Sequence, residues 1–373
     1  MYTSNIISLY KDENIENLLS NILYGLGGIK NIIAPQQNIV IKPNLVVEKP
    51  NNTGATTNPE VIDHLIKEVL KTNPKSITIA ESSGIGHSTK KAFRVTGYDK
   101  IAQKYNIPLV DLKNDEYRKV DIPNGKAISK VKVASTILKS DFLINVPVLK
   151  KHSQTKITAG LKNLKGCISD DEKRRFHRKD LHQCIADLNK AIYPDLTIID
   201  ATTCSLAWEE GGQPLKLNTI IAATTPNLVA LDIVAAHLIN SNPNIIKHIQ
   251  LSRGYKLGDG NLNNIKFIGN VNINNTILNN KSNSEILNNV ISKGACSPCL
   301  RNLIISLDKN NSYSNLTSHQ LIIGQKLNDS DISNSRKIIG VGDCSRRFVK
   351  DKYNISGCPP TSNKILDFLK RIE

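Results

Sequence analysis

Short apolar runs that stop at polar, glycine- or proline-bearing loops recur along the first 240 residues. Ile39-Val40-Ile41 ends at Lys42-Pro43-Asn44, and Ser76–Ala80 runs into Glu81-Ser82-Ser83-Gly84. Leu109-Val110-Asp111 is shorter, Phe142–Val146 closes at Pro147, Leu196–Ile199 ends at Asp200, and Ile220–Ala223 leads to Pro226. Runs of this length, apolar at nearly every position, predict strands buried on both faces. Helical patterns lie between them. Thr56-Thr57-Asn58-Pro59-Glu60 predicts a helix start, with a polar cap ahead of a proline in the first turn, continuing to Leu70. Residues 89–104 fit a second helix, and Leu228 to about Ile239 a third. Strand, loop and helix alternating this way predict an α/β fold, with a mostly parallel sheet and helices on both faces.

Sites in such sheets gather at the carboxyl ends of the strands. Lys42, Asn44, Glu81, Ser82, Lys150, Lys151, His152 and Asp200 fall there. Beyond about residue 256 the pattern loosens, and residues 262–289 are rich in Asn. We therefore expect two domains, an α/β anion-binding domain over 1–284 and a small module over 285–373, with no internal repeat.

Composition narrows the function classes. A chain of 373 residues is long for one core. It has no run of 18 apolar residues, so no membrane-spanning helix is expected. The start Met1-Tyr2-Thr3-Ser4-Asn5 does not read as a secretory signal. Together these point to the cytoplasm, where the seven cysteines are thiols or ligands rather than disulfides. The formal charge of 49 − 33 = +16 attracts anions. Aromatics are only 5% and no nucleic-acid reading module is present, so nucleic-acid binding is not expected.

Four cysteines near the C-terminus carry the sharpest chemistry. Cys296-Ser297-Pro298-Cys299 can bite one centre from a single turn. Cys344 and Cys358, each in a loop with glycine or proline, can close the shell. Four thiolates suit either a four-iron–four-sulfur cluster or a tetrahedral zinc. A zinc ribbon more often pairs two CxxC units, whereas here the second half is two single cysteines. Proline directly after Cys358 occurs at some cluster ligands. Arg301, Arg346, Arg347 and Lys350 nearby would offset cluster charge, or form a solvated basic face.

The second constellation is Lys150–Cys167, where Lys150, His152, Lys162, Asn163 and Lys165 are packed after a strand end. Gly160 and Gly166 permit close backbone approach, and the whole predicts an anion cradle. It lacks the spacing of a nucleotide P-loop; the plain alternative is a basic surface loop. Arg174–Arg178 reads as a solvated helix face, from which His177 could add an anion contact or a proton. Asp200, Glu209, Glu210 and Asp232 are candidate bases or caps. Cys184 fits the core, and Cys167 beside the cradle is a candidate reactive thiol.

Four stretches fall in one order: Lys42-Pro43-Asn44-Leu45, Thr56-Thr57-Asn58-Pro59-Glu60, Val146–His152 and Gly160–Gly166. Together they resemble the uncharacterised family called domain of unknown function 362, over roughly residues 35–255. The resemblance implies an association with iron–sulfur modules, here formed by Cys296, Cys299, Cys344 and Cys358. The run CxxCxxCxxxCP of a two-cluster ferredoxin is absent. Lys151 stands where the family pattern has threonine.

Three function classes follow. The first is an iron–sulfur protein, an oxidoreductase or a cluster-dependent enzyme, acting on a small carboxylate or phosphate, with a redox partner protein where it transfers electrons. Lys42, Asn44, Glu81, Ser82, Lys162, Asn163 and Lys165 would bind the substrate, with His152 and Lys150 catalytic and His152 the proton donor. The second is a non-redox transferase, isomerase or ligase with a structural zinc tail. The third is a basic assembly protein that docks an acidic partner.

Overall fold

A computed structural model describes residues 5–208, 210–272, 289–310, 319–332 and 337–372. The chain divides into two compact units, Met1–Leu278 and Asn279–Glu373. The boundary expected at residue 284 falls outside the described residues.

The first unit is built on ten strands of one sheet. In chain order its strands are β1 (Ile6–Lys11), β2 (Asn38–Pro43), β3 (Ser76–Glu81) and β4 (Leu109–Asp111). β5 (Tyr117–Asp121) and β6 (Lys130–Ala134) form a separate two-stranded ribbon. β7 (Phe142–Val146), β8 (Val148–His152), β9 (Lys156–Thr158), β10 (Leu196–Ser205), β11 (Pro214–Thr224) and β12 (Lys266–Gly269) complete the unit. The main sheet runs β12-β1-β11-β10-β7-β2-β3-β4, and β8 continues beside β10 with β9 on its other edge. Pairings within β10-β7-β2-β3-β4 are all parallel, whereas β11 runs antiparallel to both β10 and β1. The α/β fold with a mostly parallel sheet is thus the observed one.

Each central strand feeds two cores, because successive side chains leave a strand on opposite faces. Ile39 and Ile41 of β2, Ile144 of β7, Ile198 of β10 and Ile220 of β11 join one buried cluster. The helices Ile15–Gly25 and Pro59–Leu70 cover it. Val40, Leu143, Ile199 and Ile221 join the other, under the helices Leu181–Ala191 and Leu228–Leu238. This two-sided burial is why the strands read as unbroken apolar runs.

Local signals act where expected, with one correction. Asn58 caps the helix Pro59–Leu70 by accepting from the Glu60 N–H. The helix expected over 89–104 is instead two, Thr89–Thr96 and Tyr98–Tyr105. Gly97 breaks it by adopting a left-handed φ of 79°, a conformation glycine takes without steric cost.

The second unit is a small α/β structure of its own. β13 (Val290–Ser292), β14 (His319–Ile323), β15 (Lys337–Val341) and β16 (Asn354–Ile355) form an all-parallel sheet in that order. The helices Ser297–Asn310 and Ser362–Ile372 pack together. Asn302 donates to the Pro360 carbonyl at 2.8 Å, and the Ser306 hydroxyl to the Ser362 carbonyl at 2.7 Å. Leu303, Leu307, Ile322, Ile339, Ile365 and Leu369 are buried.

Candidate functional site

The carboxyl ends of β2, β3, β7 and β8 bring most of the expected residues together, in three groups with different chemistry. The first is a buried ion pair. Lys42 at the end of β2 meets Glu81 at the end of β3 at 3.0 Å, both almost wholly shielded from solvent. Lys42 also donates to the Pro43 carbonyl at 2.9 Å. The Glu81 carboxylate accepts from the Leu45 and Ser82 backbone N–H groups at 3.1 and 2.7 Å. Gly166 lies against this pair: a Cβ there would come within 2.0 Å of Glu81 Oε1. The close approach foreseen for this glycine is therefore to an internal ion pair.

The second group is a chain of amides anchored by a lysine. Lys150 donates to Asn44 Oδ1 at 2.8 Å and to the Ala55 carbonyl at 2.5 Å. Asn44 donates to Asn163 at 2.7 Å, Asn163 to Asn145 at 2.8 Å, and Asn145 to the Gly160 carbonyl at 3.0 Å. This network fixes the start of the short helix Gly160–Asn163. Asp232 holds the same turn from below, accepting from the Gly160 and Leu161 N–H groups at 2.7 and 3.1 Å. Burial pushes its carboxyl up to about 7. Asp200, also raised by burial, accepts from Asn58 N–H at 2.7 Å and Thr202 Oγ1 at 2.6 Å. Both carboxylates thus cap backbone donors. Glu209 lies outside the described residues.

The third group is cationic. The helix Gly160–Asn163 and the turn Leu164–Cys167 carry Lys162 and Lys165. Lys165 Nζ lies 3.2 Å from His177 Nε2. An ammonium can only donate, so Nε2 accepts and the neutral ring carries its proton on Nδ1. Lys165 first, then burial and Lys162, hold His177 down to about 2. Its Nδ1 is buried and has no partner among the described residues. His152 accepts at Nδ1 from the Gln154 and Thr155 N–H groups at 3.1 and 3.3 Å. Burial, then Lys162, Lys165 and Lys150, keep it well below the usual imidazole range. With Nδ1 accepting, a neutral His152 ring carries its proton on Nε2.

Lys173, not singled out in the sequence, also belongs to this region. Ser82 is tied to Lys173, whose buried ammonium donates to Ser82 Oγ at 2.5 Å, the Ser83 carbonyl at 2.8 Å and Asp170 at 3.0 Å. Lys173, Phe176 and His177 lie on one stripe of the helix Asp170–Arg178, at the i, i+3, i+4 spacing. Arg174 and Arg178 face solvent as expected, but that stripe faces the sheet. Burial pushes the Cys167 thiol up to about 12, leaving it protonated and inert. A surface depression bordered by Arg253, Lys256 and Asp259 holds none of the groups above.

In the second unit the four cysteines sit at carboxyl ends of parallel strands. Cys296 and Cys299 follow β13, Cys344 follows β15 and Cys358 follows β16. The loops after β15 and β16 are tied by Asp343 N–H to the Gly357 carbonyl at 3.1 Å and Gly357 N–H to Asp343 Oδ1 at 2.8 Å. A hydrogen bond with Cys299, then one from the Cys299 N–H, lowers Cys296 to about 6, while the same thiol pairing raises Cys299. The charges of Cys296, Cys344 and Cys358 all act on Cys299. The Gly324 N–H donates to the Cys344 sulfur. Among the described residues, no group of three or more His, Cys, Asp or Glu side chains is arranged to hold a single metal ion. Arg346 is paired with Asp351 at 2.8 Å rather than turned to a thiol.

The sequence profile described as "Domain of unknown function (DUF362)" matches residues 39–237, more than half of the chain. The chain belongs to the DUF362 family. That span contains all three groups of the first unit and none of the four clustered cysteines. The chain is also 27% identical over 251 residues to a thylakoid-associated protein of Synechocystis, covering 64% of this chain and 75% of that one. Among solved structures, the lactate racemase apoprotein from Thermoanaerobacterium thermosaccharolyticum matches with a TM-score of 0.40 and 15% identity, over 61% of this chain and 56% of that one. A structural-genomics protein from Thermotoga maritima matches with a TM-score of 0.35 and 13% identity, over 55% and 53%. The chain thus spans little more than half the length of these two structures. No helix among the described residues is long and apolar enough to cross a membrane.

Proposed function

We propose that this DUF362 member is an iron–sulfur protein whose larger unit binds a small oxyanion, a carboxylate or a phosphate, for a reaction at the carboxyl ends of its sheet. The observation that carries the anion reading is the convergence of Lys162 and Lys165 on two imidazoles held neutral, His152 and His177. Ammonium groups supply charge, and neutral imidazole N–H groups supply directional hydrogen bonds without adding charge. His152 donates from Nε2, because backbone donors already occupy its Nδ1. His177, whose Nε2 accepts from Lys165, orients that ammonium. Lys150, engaged by Asn44 and Ala55, positions the turn that presents Lys162. Lys42 and Glu81, bound to one another, hold β2 and β3 in register beneath it.

In the second unit Cys296, Cys299, Cys344 and Cys358 would hold a four-iron–four-sulfur cluster. The donor set fits: four thiols after three strands of one parallel sheet, with backbone N–H groups donating to the Cys296 and Cys344 sulfurs. Such a cluster supplies one-electron transfer, which calls for a redox partner protein and a reducing compartment such as the cytoplasm.

The anion reading is tested by calorimetric titration of the full chain with inorganic phosphate and with malonate at low salt. Binding that weakens tenfold or more in Lys165→Met is expected. The same variant removes the largest influence on His177, so the His177 ring should titrate well above 2 by NMR. No binding of either probe would remove the reading.

A further inference from the structure

The cationic group continues into a pair of histidines that nothing above accounts for. His182 opens the helix Leu181–Ala191, and His248 lies in the helix Lys247–Gly254, which packs against it. The two rings are stacked, with centroids 5.9 Å apart and planes 22° from parallel. His248 is fully buried, yet both of its ring nitrogens have no partner among the described residues. His182 Nδ1 is in the same condition, as is Ser252 Oγ one helical turn beyond His248. A neutral imidazole has one N–H to donate and one lone pair to fill, and burying them unmet is costly. Such groups in native proteins answer to a water, an ion or a ligand.

The surrounding charge decides which. Burial first, then His182 and Lys162, hold His248 well below the usual imidazole range. Burial also lowers His182, where Asp180 acts against Lys247, Lys156 and Lys162. Three lysines around the pair disfavour a metal dication, and no third metal ligand joins it among the described residues. The same lysines favour an oxyanion that accepts from the imidazole N–H groups and Ser252. Lys162 is the common neighbour: its charge acts on His152 and His177 in the first group and on His182 and His248 in this one. His182 is partly exposed, which gives the pair a route to solvent.

We propose that the substrate carries two oxyanion groups, one held by Lys165 and the other by His182, His248 and Ser252, with the charge of Lys162 acting on both. This rests on the anion reading above and adds the substrate class to it.

The test is calorimetric titration of the full chain with inorganic phosphate, pyrophosphate and tripolyphosphate. The wild type, Lys165→Met, His182→Asn and Ser252→Ala are compared, with circular dichroism confirming the fold of each. Greater charge alone tightens the longer anions, so the variants decide. His182→Asn and Ser252→Ala are each expected to weaken pyrophosphate or tripolyphosphate by about tenfold while phosphate changes by less than twofold. Lys165→Met should weaken all three. If His182→Asn and Ser252→Ala leave every affinity unchanged, water satisfies the pair and the second subsite is wrong. If they weaken phosphate as much as the longer anions, there is one subsite rather than two. If phosphate itself does not bind, the underlying anion reading fails, which is a separate result.

Discussion

Mild acid should destabilise the first unit well above the pH at which ordinary carboxylates protonate. His152 and His248 are held neutral mainly by burial, and His177 is pushed to about 2, mainly by Lys165. A histidine whose folded pKa lies below its unfolded value takes up its proton only on unfolding. Its stabilising contribution is complete above the unfolded value and is lost as pH falls below it. With an unfolded value near 6.5, each such histidine loses about 1.4 kcal/mol between pH 7.5 and 5.5, and three lose about 4 kcal/mol. Asp232 acts in the opposite sense. Its carboxyl, raised to about 7 by burial, gains a proton in the folded state over this window and contributes about 2 kcal/mol. The net loss from these four groups is about 2 kcal/mol. His182, shifted the same way as the other histidines, adds to the loss, whereas Asp195 and Asp200, both raised, reduce it. Trp208, the only tryptophan of the chain, lies in the first unit, so its fluorescence during urea unfolding reports that unit alone. Equal or greater stability at pH 5.5 would refute the reasoning. His177→Gln should cut the pH-dependent loss by about 1.4 kcal/mol, and Asp232→Asn should enlarge it by about 2 kcal/mol.

Two further outcomes follow from the packing and the thiols. Gly166→Ala places a methyl 2.0 Å from Glu81 Oε1 and should part the buried pair; a loss of roughly 3 kcal/mol in urea unfolding is expected, and an unchanged midpoint would mean that this glycine is not held against the pair. After anaerobic purification, about four irons and four sulfides per chain are expected for a cubane cluster. Cys296→Ser or Cys358→Ser should abolish both the iron and the absorbance near 400 nm; one zinc with no sulfide would instead make the second unit a zinc module.

Much of the fold was legible because both faces of the sheet are covered. Ile39-Val40-Ile41 reads as a strand for the same reason that its side chains enter two cores. Asn58-Pro59 announced its helix because a cap and a proline act within one turn. Gly97 was passed over because one glycine inside a helical pattern does not declare which sign of φ it takes. The site was legible as a list of residues and not as a set of pairings. Lys42 and Lys165 look alike in sequence, but a strand end 39 residues away supplies Glu81 to the first, while the second meets an imidazole. The burial of His152 beside lysines, which disfavours its charged form, is a property of the assembled site and not of the sequence. Lys173, Phe176 and His177 share one helical stripe, but the basic residues interleaved with the last two read as a solvated face. His182 and His248 are 66 positions apart and carry no shared pattern.

The central claim is that Lys162, Lys165 and His152 hold an oxyanion, with His177 orienting Lys165. Anomalous diffraction from crystals of the full chain soaked in tungstate, a heavy tetrahedral oxyanion, tests it most directly. The account predicts a tungsten peak within hydrogen-bonding reach of Lys165 Nζ, whose ammonium His177 orients. Strong peaks confined to other parts of the surface, with that position empty at full soak concentration, would contradict it.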